Sequence, residues 1–284
     1  MKKVILKLLM QSMKLIKWDY YRYIVLKPLF KLNHQNLHGF TSLFNDRFFV
    51  YKVNDKFLPS QALHWPITYK GFEDWCDSTA LYGYEVKEGD FVLDIGAGMG
   101  EEILVLSNRV GQTGKIYAIE ANPKVYNVLQ TIVKKNCLNN VELHNIAISS
   151  ADEDISLIDD ADSYLAGSIQ QNNGNNGYIV QGKRVDTFFK ERDINKIDLL
   201  KSNIEGAERF VVDSISKDNL KKIKRVAISC HDFRYRVDGN EFYKTKEYIS
   251  DFLINNGFEI TCQKSGIGHI DDYVYGVNKF YSPV

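Results

Sequence analysis

The sequence predicts an α/β fold, a doubly wound, mostly parallel seven-stranded sheet with one antiparallel strand and an N-terminal helical and hairpin extension. Three observations predict it. Residues 91–102 (FVLDIGAGMGEE) read as a buried strand ending in an acid, a glycine-rich turn and then a helix. Strand-like and helix-like runs alternate beyond that point. The last two strand-like runs, 258–263 and 273–278, are joined by a link too short for a helical crossover, so they pair antiparallel.

The elements follow in order. Residues 1–31 mix apolar side chains with Lys2, Lys3, Lys7, Lys14, Lys17, Arg22, Lys27 and Lys31 against Asp19 alone, a local +7 that leaves −7 for the rest of a chain of zero formal charge. The lysines are too frequent for a membrane-spanning helix, and no small-residue cleavage site follows. Two readings remain open: an amphipathic helix on an anionic membrane surface, with Trp18, Tyr20, Tyr21 and Tyr23 near the headgroups, or a helix packed on the catalytic domain or a second subunit. Two β-like runs flank Asn54-Asp55, predicting a hairpin at the edge of the active-site mouth. Residues 1–70 form this extension, and residues 71–284 the main domain.

Within that domain a helix is expected over 72–84, a strand over 91–95, a helix over 101–110 and a strand over 115–120. Asn122-Pro123 opens a helix that runs to 135, because proline is tolerated in a first turn. A strand over 141–148 follows. The polar, glycine-punctuated run 170–177 then reads as the tip of an inserted hairpin. Helix 185–191, strand 196–204, helix 208–220, strand 225–229 and helix 245–255 restore the alternation. With 284 residues, 44% hydrophobic and 25% charged, the chain can bury a full core without staples.

The glycine turn and two acids define a cofactor site. Asp94, Gly96, Ala97, Gly98 and Gly100 shape the turn, and Glu120 stands at the end of the next strand, where a cofactor ribose is held. In the dinucleotide fingerprint the third small residue falls on Glu101, and Asp94 would repel a diphosphate. A carboxylate there attracts an ammonium group instead. S-adenosylmethionine (SAM) has that ammonium, a sulfonium and a ribose diol for Glu120. Asn122 follows the ribose acid, and Asn145 and Ala147, at the end of the third strand, border the adenine. An NAD-dependent oxidoreductase and a non-catalytic binding module built on the same fold are the alternatives.

The tips of the fourth and fifth strands face the reacting group. LLKSNIEGAE places Glu205 and Glu208 on a glycine turn, and ISCHDF places His231 and Asp232 opposite. His231 is expected as the base, oriented by Asp232 or Glu205, with Glu205 as the competing base. Glu208, in a first helical turn, also suits a purely structural role. His269, Tyr273, Arg234, Arg236, Trp65, Tyr69 and Trp75 are candidates for acceptor contacts. The cysteines Cys76, Cys137, Cys230 and Cys262 and the histidines are scattered, without zinc spacing, which fits reduced thiols in a cytoplasmic protein.

Asp94-x-Gly96, Glu120-Ala121-Asn122-Pro123, Asn145-x-Ala147 and Lys201-x-x-x-Glu205-Gly206-Ala207-Glu208, in this order, resemble the FkbM family of methyltransferases over about residues 89–258. The resemblance implies the class I, Rossmann-like methyltransferase fold, SAM as cofactor with Ala121 and Asn203 among its contacts, and O-methylation of a hydroxyl, often on a sugar of a glycan or glycolipid. The zero formal charge of the chain gives no hint of a nucleic acid partner, and a homo-oligomer is compatible. Two positions depart from the family pattern: Asn203 stands where an Asp is usual, and Ser229-Cys230-His231 replaces an acid-x-His arrangement.

Overall fold

The computed structural model describes residues 12–13, 16, 18–63, 66–158 and 177–283. Most of the lysine-rich stretch before Trp18, the acceptor candidate Trp65 and the polar run 170–176 lie outside the described residues. Helix α1 (Asp19–Leu32) leads into an antiparallel sheet of β1 (Leu37–Leu43), β2 (Phe48–Val53) and β3 (Lys56–Ser60), and α2 (Tyr69–Ser78) follows. The hairpin turns at Asn54-Asp55, with Val53 opposite Lys56 and Asn54 at φ 53°. Helix α2 starts three residues before the sequence suggests, because the Thr68 hydroxyl accepts the Gly71 amide at 2.8 Å and caps it.

The main sheet begins with β4 (Phe91–Ile95), α3 (Glu101–Val110), β5 (Lys115–Ile119), α4 (Pro123–Lys135) and β6 (Val141–His144). A side sheet comprises β7 (Ala147–Ile148), β8 (Asp154–Ile158) and β9 (Gly177–Lys183), and then come α5 (Val185–Glu191), β10 (Leu199–Ser202), α6 (Glu208–Asp213), α7 (Lys217–Leu220) and β11 (Arg225–Ser229). The chain closes with α8 (Asp232–Asp238), a 3-10 turn, α9 (Lys246–Asn255), β12 (Phe258–Thr261), α10 (Gly268–Asp271) and β13 (Tyr273–Asn278). Strand order is β12-β13-β11-β10-β4-β5-β6. Strand β13 runs antiparallel to both neighbours, and the other pairs are parallel.

In two places side-chain hydrogen bonds to residues distant in sequence make the elements differ from expectation. The strand expected over 141–148 splits, because the Asn145 side chain turns back to the carbonyls of Glu120 (2.8 Å) and Ala121 (3.1 Å), and Ala147 then pairs with Gly182 of β9. The helix expected over 208–220 breaks at Ser216, whose hydroxyl caps Asn219 while its own amide donates to Asp186 at 2.8 Å. Helix α8 escapes sequence reading, since none of its residues is buried and no apolar period marks it.

The small N-terminal sheet packs on the outer side of α3 and α4. Phe48, Tyr51 and Leu58 share one apolar cluster with Leu104, Val125, Val128 and Ile132. The Asn136 side chain fixes the contact, accepting the Phe57 amide and donating to the Phe57 carbonyl, each at 2.9 Å. The hairpin expected at the active-site mouth therefore lies behind these helices. Among the described residues no helix is long and apolar enough to cross a membrane.

Candidate active site

A cavity of about 430 Å³ opens over the carboxyl ends of β4, β5 and β10, the place a doubly wound sheet reserves for ligands. Its floor is the glycine turn. Gly96 (φ 80°) passes so close to β10 that a Cβ there would lie 2.1 Å from the Asn203 carbonyl oxygen. We expect Gly96→Ala to cost about 1–3 kcal/mol through backbone strain alone, and more through this clash. Gly83→Ala, at φ 70° in open space, should cost only the strain. Urea midpoints of the two variants make the comparison.

Glu120 ties the turn to the second strand. Its Oε2 accepts the Gly98 amide at 2.9 Å and its Oε1 the Asn122 amide at 2.8 Å. Burial pushes this carboxyl up to about 7 against the pull of those two amides. Gly96, Ala97, Gly98, Glu120, Ala121, Asn122, Ala147 and Asn203, all expected in the cofactor site, line the cavity. Asn145 and Asp94 do not. Asn145 instead braces the Glu120–Ala121 backbone, and the Asn122 side chain also caps α4 through the Lys124 amide at 2.9 Å.

Asp94 is buried beneath the turn, where the Lys201 ammonium approaches its Oδ1 at 2.9 Å. The same Nζ reaches Glu102 Oε2 at 2.7 Å and the Gly96 carbonyl at 3.0 Å. So the cation that Asp94 attracts is Lys201, and the carboxylates facing the cavity beside it are Glu101 and Glu102. In the sequence Lys201 opens the Lys201-x-x-x-Glu205 motif with no role of its own. A lysine in an otherwise apolar, buried strand is the signal that it has an anionic partner. Burial pushes Asp94 up to about 6 and Glu101 up to about 7. Four carboxylates share the region with one ammonium, and a positively charged ligand relieves that surplus.

The other end of the cavity is set by β10 and β11. Glu205 lines the wall with its backbone in the left-handed region, φ 54°, a conformation costly for a non-glycine residue. Its Oε2 lies 3.0 Å from the Arg234 guanidinium and 3.5 Å from His231 Nε2. His231 Nδ1 meets Glu208 Oε1 at 2.8 Å. Glu208, fully buried, also accepts the Gly206 amide at 3.0 Å and the Thr245 hydroxyl at 3.1 Å.

Burial alone would lower the pKa of His231, but Glu208 and Glu205 outweigh it and raise it to about 10. At neutral pH His231 is an imidazolium between two carboxylates, with no lone pair to receive a proton. It also stands outside the cavity lining, as does Asp232, whose Oδ2 accepts the amides of Thr245 (3.0 Å) and Lys246 (2.9 Å) and so starts α9. Of the three side chains expected to be catalytic, Glu205 alone reaches the cavity. Among the described residues no group of three His, Cys, Asp or Glu side chains is arranged to hold a metal.

The acceptor candidates divide. Trp75 lines the cavity and stacks on His269, ring centres 5.7 Å apart. Arg234 serves Glu205, Arg236 pairs with Asp272 at 2.9 Å, Tyr69 bonds the Leu104 carbonyl at 3.4 Å, and Tyr273 is buried.

The seven-stranded order with β13 reversed, the cavity above β4 and the acid just after β5 define a class I methyltransferase fold. The chain belongs to the Methyltransferase FkbM domain family, whose profile matches residues 94–260, and is a SAM-dependent methyltransferase. The oxidoreductase alternative is set aside by that membership. Protein-L-isoaspartate O-methyltransferase of Fervidobacterium nodosum is 39% identical over 59 residues, 21% of this chain and 30% of that protein's length. Uncharacterized protein MJ1252 of Methanocaldococcus jannaschii is 27% identical over 212 residues, 70% of this chain and 69% of that protein. Among solved structures, Aeropyrum pernix fibrillarin with natively bound S-adenosyl-L-methionine is similar with a TM-score of 0.45 and 15% identity, covering 85% of this chain and 99% of that one.

The chain's residues fit SAM. Glu120, at the end of the second strand, can accept hydrogen bonds from a ribose diol, and the carboxylate surplus around Lys201 suits a ligand carrying an ammonium and a sulfonium.

Proposed function

We propose that this methyltransferase acts on a hydroxyl oxygen, of a sugar in a glycan or glycolipid, and that Glu205 takes the hydroxyl proton. The observation that carries this reading is the setting of Glu205: a carboxylate on the cavity wall, in a strained backbone conformation, with one oxygen held by Arg234 and close to His231. SAM supplies an electrophilic methyl group on its sulfonium. The protein's tasks are then to align the acceptor oxygen and remove its proton. Oε2 of Glu205 is engaged by the two cations, which leaves Oε1 for the acceptor. The His231–Glu208 pair fixes the second cation, so both are positioning residues for Glu205. The sugar acceptor follows from the family resemblance and is supported by Trp75, an aromatic face on the cavity wall.

Glu120→Ala is expected to weaken SAM binding by about 10-fold to 100-fold, the worth of a charge-assisted hydrogen bond of roughly 1.5–3 kcal/mol, and to lower the melting temperature as well, because the Gly98 and Asn122 amides lose their acceptor. Isothermal calorimetry and a thermal scan read both. The acceptor is tested by incubating the protein with labelled SAM and surface glycans of the producing cell, then locating the added methyl by mass analysis. Label on a sugar oxygen supports the reading. Label on carbon, nitrogen or a carboxylate would end it.

A further inference from the structure

Helix α1 has two unlike sides. Arg22, Leu26 and Phe30, four residues apart, are buried, and α1 packs on β1. Arg22 is held by the carboxylate of Asp46 and by the Met13 carbonyl at 3.3 Å. The opposite side carries Tyr20, Tyr21, Ile24, Lys27 and Lys31, with Trp18 just ahead of the helix. Trp18 is 70% exposed and Tyr20 68%. Their rings form a cluster with Tyr21, each 5.7 Å from it.

Folding the domain does not account for this side. Large rings in mutual contact on a wet surface gain nothing from the core and mark an interaction face. The helix has one acid, Asp19, and it is turned inward, accepting the Ser42 amide at 2.8 Å and facing Arg22 at 3.6 Å. The outer side of α1 therefore presents rings, Ile24 and ammonium groups without a carboxylate. In sequence it lies in the 1–31 stretch with eight basic residues against that one acid.

Charge selects the occupant. A second copy docking by the same face would bring Lys27 and Lys31 up against their own kind. An acidic lipid surface meets the same face with complementary charge and takes up amphipathic rings at its headgroup level. We propose that the solvent-facing side of α1 docks on an anionic bilayer surface, with Trp18, Tyr20 and Tyr21 among the headgroups and Lys27 and Lys31 against lipid phosphates. This docking is independent of the acceptor and of the role of Glu205.

The full chain, sedimented with phosphatidylcholine vesicles with and without phosphatidylserine, tests it. Binding to the phosphatidylserine vesicles, released by salt, and at least about tenfold weaker binding to neutral ones are expected. Lys27→Glu with Lys31→Glu, and separately Trp18→Ser with Tyr21→Ser, should each lower that binding about tenfold, while SAM affinity and melting temperature hold. Indifference to phosphatidylserine would overturn the proposal, as would vesicle binding unchanged in both variants. A dimer in light scattering, or RNA binding, abolished by the same substitutions in place of vesicle binding would overturn it too.

Discussion

Glu205→Gln is expected to lower turnover by about 10²-fold to 10⁴-fold, the usual worth of a positioned general base, while S-adenosylhomocysteine binds as in the parent. The amide keeps the size of the side chain and loses the proton acceptor. The substitution also takes a negative charge from Arg234 and His231, so the two cations, one of them buried, lose a counter-ion. A melting scan separates that effect from catalysis. Turnover and calorimetry then give kcat and cofactor affinity apart. Turnover near the parent value would move the proton to another group. If His231 were that group, the rate would climb with pH towards about 10, where the imidazolium loses its proton; with Glu205 as base no such rise is expected.

The largest stability effect is expected from the pair behind Glu205. His231→Ala leaves the buried Glu208 carboxylate without its cation, and breaking such a pair typically costs about 3–5 kcal/mol. Its pH dependence has a definite sign. The His231 pKa rises from 6.5 to about 10 in the fold, so its contribution is fully present below about pH 6.5, declines above that and is gone once pH passes about 10. Urea unfolding of the parent should show falling stability from neutral to alkaline pH. Glu208→Gln should flatten that slope, since the chief partner raising the His231 pKa is then gone. A parent curve flat to pH 10 would contradict the pairing.

The sheet was legible where local chemistry decides the structure. The run 91–95 is apolar and ends in a glycine turn, and Asn122-Pro123 supplies both a cap and a first-turn proline, so β4, α3, β5 and α4 fall within a residue of the expected bounds. Legibility failed where a distant partner decides. Nothing near Asn145 says that its amide will grip the Glu120 and Ala121 carbonyls and end the strand at His144. The break between α6 and α7 depends on Asp186, thirty positions from Ser216.

The site follows the same division. Gly96, Gly98, Glu120, Ala121, Asn122, Ala147 and Asn203 line the cavity as their place at the carboxyl ends of the strands suggests, because backbone geometry puts them there. Asp94 and His231 were readable as charged groups at strand tips, but not their partners. Lys201, far away in sequence but opposite Asp94 on the neighbouring strand β10, takes the Asp94 carboxylate, and Glu208 takes the imidazole. In both cases an ionisable group that looks free for a ligand in one dimension is already paired in three.

A net-acidic cavity prefers a cationic donor. Calorimetry with SAM and with NAD, each in two buffers of different ionisation enthalpy at neutral pH, tests this most directly. SAM is expected to bind with proton release, because Glu101 and Glu120, both near 7 in the free protein, ionise fully beside its positive charges, and NAD is expected to give no binding heat. Binding of NAD without binding of SAM, or SAM binding accompanied by proton uptake, would contradict the account.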